Sequence, residues 1–156
     1  MERNILKISP ITKKKTDNSS PCLVVQYELN MSLPFLINCL LVCDDQTFGY
    51  QIGEHLQGAK NLNVRIEAKL PLLDNDIQIL LLAHTGNEQQ IFLDMEKALA
   101  KNIPVILTGE NISPAMMRKA IQYQVDDFIP LESFSEEIGP TLLRLAGQIS
   151  ANTQIA

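Results

Sequence analysis

The stretch Ile37-Asn38-Cys39-Leu40-Leu41-Val42-Cys43-Asp44-Asp45 is an apolar run that ends in two carboxylates. A second run, Ile77-Gln78-Ile79-Leu80-Leu81-Leu82-Ala83, ends in His84 with no acid at its tip. A third, Ile103-Pro104-Val105-Ile106-Leu107, ends in Thr108. Short, almost unbroken apolar runs of this kind are the mark of strands buried on both faces, as in a parallel sheet.

Helix signals fall between the runs. Phe48, Ile52 and Leu56 repeat at i, i+4, i+8, one face of a helix that Gly58 can end. Asn87 and Gln90 resemble a capping box, ahead of an apolar stripe at Ile91, Met95 and Ala98-Leu99 closed by Asn102. Ser113-Pro114 is a side-chain cap followed by proline in the first turn, predicting a helix to about Tyr123. A final helix carries Leu142, Leu143, Ala146 and Ile149, entered near Ser135 or at Gly139-Pro140. Two further strands are read at Val64-Arg65-Ile66-Glu67-Ala68, which alternates as a strand with one wet side would, and at Val125-Asp126-Asp127-Phe128-Ile129. The alternation predicts an α/β fold, a doubly wound five-stranded parallel sheet in three layers. The connection over 69–76, with Pro71, is shorter than the roughly dozen residues of a parallel crossover. Either the second helix shrinks to a turn or two, or the strand placement slips there.

A chain of 156 residues with 46% hydrophobic content is one domain able to bury a core. The net charge of −5 argues against a nucleic-acid surface. The one basic run, Lys13-Lys14-Lys15, reads as a solvated segment, with an anionic contact as its alternative. Residues 1–34 are expected to be a partly disordered extension whose stretch Cys22-Leu23-Val24-Val25-Gln26-Tyr27 adds to a sheet edge or docks on the domain. The domain is expected over 35–150 and a tail over 151–156. Cys22, Cys39 and Cys43 make neither a disulfide framework nor a metal pattern, and His55 and His84 are isolated. No apolar stretch reaches the ~18–20 residues of a membrane span, and the N-terminus does not read as a signal peptide. A reducing cytoplasm is the expected home, with no metal and no cofactor.

In residue order, Leu-Leu-Val-Cys-Asp-Asp at 40–45, Val-Ile-Leu-Thr-Gly at 105–109 and Val-Asp-Asp-Phe-Ile-Pro at 125–130 resemble the phospho-receiver (CheY-like) domains of two-component response regulators, over roughly 36–150. The resemblance implies a flavodoxin-like sheet and a pocket at the strand tips. In that family an aspartate on the third strand accepts a phosphoryl group, and with an acidic pair it holds Mg²⁺. A hydroxyl residue and a lysine bind the phosphoryl oxygens. The acidic pair matches at Asp44 and Asp45, the hydroxyl at Thr108, and the aromatic switch position at Phe128. The acceptor position falls on Leu81, Leu82 or Ala83, and the lysine position near Leu131. An aliphatic side chain forms no acyl phosphate, so the chain is similar to pseudo-receivers, which work by protein contacts. Such domains occur in clock proteins, atypical transcription regulators and, ahead of an ATPase domain, tight-adherence pilus localisation proteins.

Plainer accounts exist for each residue. Asp44-Asp45 can cap the first helix, Thr108 can bond to nearby backbone, and His84-Thr85-Gly86-Asn87 can be a turn. Met116 and Met117 cannot both point inward at adjacent helical positions, so an exposed methionine beside Tyr123 and Phe128 is a candidate partner surface. The expected function is a non-enzymatic, phosphorylation-independent interaction or localisation module, homodimeric or docked to a partner or effector domain. The alternatives are a response regulator with a displaced acceptor (Asp44, Asp45 or Asp94, the last placed away from the strand tips) and a flavodoxin-like ligand-binding or enzymatic domain.

Overall fold

The computed structural model describes residues 29–73 and 75–155. The basic run and the stretch over 22–27 lie outside the described residues. Strands β1 (Met31–Val42), β2 (Ala59–Glu67), β3 (Ile79–His84), β4 (Val105–Gly109) and β5 (Asp127–Pro130) form one parallel sheet ordered β2-β1-β3-β4-β5. Helices α1 (Gln46–Leu56) and α4 (Phe134–Ile155) cover one face; α2 (Glu88–Ala100) and α3 (Pro114–Gln122) cover the other.

The period of two explains the two cores. Ile37, Cys39, Leu41, Ile79, Leu81, Ala83 and Ile106 join Phe48, Ile52 and Leu56 of α1 and the buried stripe of α4. Leu40, Val42, Leu80, Leu82, Val105 and Leu107 join Ile91, Met95 and Ala98 of α2 and Met116 of α3. Every residue of β3 and β4 is buried, as central strands flanked on both faces require. The predicted caps form: Asp45 accepts from Phe48 N, Asn87 from Gln90 N, and Ser113 from Met116 N.

Four details differ from the sequence reading. β1 starts at Met31, so residues 31–34 belong to the sheet rather than to the extension, and its pairing with β2 shifts register between Ser32 and Ile37. Pro34 lies inside that irregularity, the place where a strand tolerates a residue without an N–H. The final helix enters at Phe134, keeps Pro140 inside it and continues to Ile155, through most of the expected tail. Its core stripe uses Ile138, Leu142, Leu145 and Ala146, while Leu143 is 48% exposed.

The fourth difference is the crossover from β2 to β3, where no helix forms among the described residues. The shortening expected of the second helix is complete. β2 is suited to this: Leu62, Val64 and Ile66 pack toward α1, while Asn63 and Arg65 are exposed on the side a helix would cover. Asn63 Nδ2 donates to Asn38 Oδ1 at 3.0 Å, and Asn38 Nδ2 donates to the Asp76 carbonyl at 3.1 Å. Polar side chains thus take the place of the missing layer.

Candidate functional site at the strand tips

In an open parallel sheet the carboxyl ends of the strands gather the loops that bind ligands. Asp44 and Asp45 follow β1, Thr85 to Asn87 follow β3, Glu110 and Asn111 follow β4, and Leu131 follows β5. A cleft of about 400 Å³ opens among Asp45, Phe48, His84, Thr85, Gly86, Glu110, Asn111 and Leu131. None of these lining residues is lysine or arginine.

The acidic pair is divided between two jobs. Asp45 Oδ1 accepts from Phe48 N at 3.1 Å as the cap of α1, where a carboxylate also meets the positive end of the helix dipole. Asp44 is exposed and accepts a hydrogen bond from the Thr85 hydroxyl. The plain account of the pair as a helix cap is correct for Asp45 alone.

Thr108 is fully buried, and its Oγ1 has no hydrogen-bond partner. It does not bond to nearby backbone as the plainer account had it. An unsatisfied buried hydroxyl costs about 1–3 kcal/mol. Pairing places Thr108 beside Ala83 on β3 and Ile129 on β5. Of the three aliphatic residues considered at the tip of β3, Ala83 is therefore the one level with the hydroxyl.

Gly109 lets the chain turn at this point. Its φ of +157° disfavours other residues, and a Cβ there would sit 3.0 Å from both the Cβ and the carbonyl oxygen of His84. His84 itself is buried, and its Nδ1 accepts from Gly86 N at 3.4 Å, which accounts for the 84–87 segment as a turn.

A second, smaller cavity of about 30 Å³ shares Thr85 with the cleft and is lined by Asp44, Lys69, Ala83, Gln90 and Asp94 among others. Asp94 does not lie away from the strand tips, as its position within a helix suggested. It is buried, receives a hydrogen bond from Gln90 Nε2 at 3.0 Å, and shares this cavity with Asp44. Burial raises its pKa above the usual carboxylate value, opposed by the Gln90 bond and by Lys97. Burial likewise pushes Cys39 up to about 12 and Cys43 up to about 11. These thiols behave as small hydrophobes.

Met116 is fully buried, so it belongs to the core and not to a surface; Met117, Tyr123 and Phe128 are half-buried. Lys119 Nζ lies 5.7 Å from the ring centroids of both Phe92 and Tyr123, so Tyr123 is engaged within the molecule. The strongly exposed apolar residue of α3 is Ile121, at 76%. The sequence reading missed it, together with Glu110 and Asn111, although both of these directly follow the Thr108-Gly109 pair already singled out.

No protein-family model matches the chain, and no curated protein does. Solved structures do. The receiver domain of HemR from Leptospira biflexa superposes with a TM-score of 0.60 at 18% identity, covering 70% of this chain and 94% of that one. A protein named for pilus assembly (CpaE) from Burkholderia thailandensis gives 0.63 at 16% identity, covering 72% and 99%. The signal receiver domain of a protein named as a LuxO repressor, from Vibrio parahaemolyticus, gives 0.66 at 10% identity, covering 78% and 98%. With its five parallel strands in the order β2-β1-β3-β4-β5, this chain has the CheY-like fold of response-regulator receiver domains.

Proposed function

We propose that this chain is a pseudo-receiver, a phosphorylation-independent interaction module. The observation that carries the reading is the pair Ala83–Thr108. Beside the hydroxyl, where a receiver needs its acceptor carboxylate, β3 offers a methyl group. The rest of the pocket agrees. Leu131 stands in the larger cleft where a phosphoryl-binding lysine would, and no cation lines that cleft; the smaller cavity beside Ala83 has Lys69, from the β2–β3 crossover, on its wall. The residues do not fit Mg²⁺ either: Asp45 is engaged as a cap, and among the described residues no three His, Cys, Asp or Glu side chains are grouped to hold a metal.

Asp94 as a displaced acceptor has one observation in its favour, the cavity it shares with Asp44. Its carboxyl is buried, which disfavours the charged form, and one oxygen is already taken by Gln90. A small-ligand enzyme has less support, since the 84–87 segment is a turn.

For the partner surface we propose the side formed by α3, β5 and α4, with Ile121 and Leu143 as its exposed anchors and the half-buried Met117 and Phe128 as further members. A second copy or an effector domain is the proposed occupant. The CpaE likeness supports pilus assembly as one setting, and the cytoplasm is the compartment proposed with it. Among the described residues no helix is long and apolar enough to cross a membrane.

Melting with Mg²⁺ and beryllofluoride against buffer alone tests the central reading. No shift is expected. A clear rise in melting temperature that Asp44→Ala or Asp45→Ala abolishes would sink it. For the surface, Ile121→Glu together with Leu143→Glu should abolish any self-association seen by sedimentation without lowering the melting temperature.

A further inference from the structure

Among the described strands β2 pairs with β1 alone, so its other margin is open. The Glu67 carbonyl accepts from Cys43 N, so Glu67 and, by alternation, Arg65 and Asn63 turn their backbone groups toward β1. The N–H and C=O of Leu62, Val64 and Ile66 therefore point out of the sheet. An open row of this kind is a template for a further strand. The stretch 62–67 holds no proline to block one, and its two charges, Arg65 and Glu67, bind each other at 2.9 Å on the face away from α1.

The margin is apolar as well as open. Leu62, Val64 and Ile66 are only partly buried, on the face that α1 covers. The helix lies close over Ile66 because Gly53 has no side chain: a Cβ there would fall 2.6 Å from Ile66 Cδ1. Phe48 and Ile52 turn toward the core, and helical spacing puts Tyr50, 58% exposed, past Gly53 on the side away from Ile52. Tyr50 and the three half-buried side chains of β2 thus border an edge with no described strand beyond it.

We propose that the chain's own segment Cys22-Leu23-Val24-Val25-Gln26-Tyr27 occupies this margin as a sixth strand, antiparallel to β2. The described chain begins with Leu29 N donating to the His55 carbonyl at 2.7 Å, near the C-terminal end of α1, and β2 starts four residues after His55. Tyr27 stands four residues before Met31, a reach of ~13–14 Å against the roughly 10 Å of two strand spacings. The segment can therefore pass from the far side of β2 into β1. Because β1 starts level with Ala59, that passage runs down beside β2 and up β1, which makes the added strand antiparallel. Its β-branched and aromatic residues suit a strand. Alternation puts Leu23, Val25 and Tyr27 on one face, beside α1, and Cys22, Val24 and Gln26 on the other, with Asn63 and Arg65. As the outermost strand it opens before the five beneath it.

Cross-strand NOEs and amide exchange in the ¹³C,¹⁵N-labelled full chain test this. Contacts are expected between the backbone protons of 23–26 and those of 62–66, with slowed exchange at the Val64 and Ile66 amides. The double variant Leu23→Asp, Val25→Asp should speed exchange at those two amides about tenfold or more and leave the amides of β3 and β4 unchanged. Segment amides that exchange as fast as a free peptide's, or Val64 and Ile66 amides indifferent to the double variant, overturn the sixth strand. In a mixture of labelled and unlabelled chains, cross-strand contacts between different copies would mean strand exchange and overturn the own-chain occupant. None of these outcomes bears on the pseudo-receiver reading, which the beryllofluoride melt decides separately.

Discussion

The chain contains the dipeptide Asp-Asp at two strand ends, and the two copies do opposite things. Asp44-Asp45 follows the carboxyl end of β1 and is exposed, with Asp45 on the wall of the larger cleft and Asp44 on that of the smaller cavity. Asp126-Asp127 enters the amino end of β5, where both carboxylates hold the fold together. Asp126 Oδ2 accepts from Val105 N at 3.1 Å and so ties the start of β5 to β4. Asp127 Oδ2 accepts from the Thr141 hydroxyl at 2.8 Å and lies 3.5 Å from Arg144, which joins β5 to α4. The same two residues are a site or a clamp according to which end of a parallel strand they occupy.

The sharpest way to break this contrast is by substitution. Asp126→Ala leaves the buried Val105 amide without its acceptor and should cost about 1–3 kcal/mol in urea unfolding. A loss no larger than that of Asp44→Ala would show that the clamp is not one. Asp45→Ala should cost about 1 kcal/mol through the lost cap, while Asp45→Asn changes stability by only a few tenths. Thr108→Val should stabilise by a similar amount, about 1 kcal/mol, because it keeps the shape and removes the orphaned hydroxyl. Asp44→Ala, at the exposed member of the site pair, should stay within about 0.5 kcal/mol of the parent.

Asp94 sharpens the comparison with a fifth acid, buried where the four others are not, and its effect is confined to a pH window. Its folded-state pKa is raised, so the folded protein keeps the proton longer than the unfolded chain. Stability from this group is present below the ordinary carboxylate pKa and falls as pH rises toward the raised one. Asp94→Asn, which can still accept from Gln90, should match the parent's melting temperature at low pH and exceed it at neutral pH. A parent curve that rises where the variant's is flat would contradict this.

The parts of the fold that were legible in the sequence are those fixed by neighbours along the chain. The Phe48-Ile52-Leu56 stripe and the caps at Asn87 and Ser113 need only helical periodicity and one side-chain bond, and each forms, although Gln90 turns its side chain to Asp94 and leaves the capping box at Asn87 half made. The parts that were not legible depend on pairing. Choosing Ala83 over Leu81 and Leu82 takes the β3–β4 register, because three apolar residues in a row carry no mark of which lies beside Thr108. The early start of β1 takes contact with β2, since Pro34 locally argues against a strand. In α4, Leu142 and Leu143 are equivalent by composition, and packing against β1 and β5 decides that Leu142 and Leu145 go inward. Asp94 was misplaced for a similar reason: distance along a helix says little about which cavity its side chain faces.

The helix-free crossover between β2 and β3 has a consequence for how the molecule opens. β2 is an edge strand held by β1 on one side and by α1 on one face, and its other face carries exposed polar side chains. Regions with solvent-exposed backbone bonds and few buried contacts exchange their amides through small local openings. Hydrogen–deuterium exchange should therefore invade β2 and the 68–78 connection well before β3 and β4. The edge that breathes is the one opposite β5, so the fold can loosen at one margin while the proposed binding face at the other stays rigid.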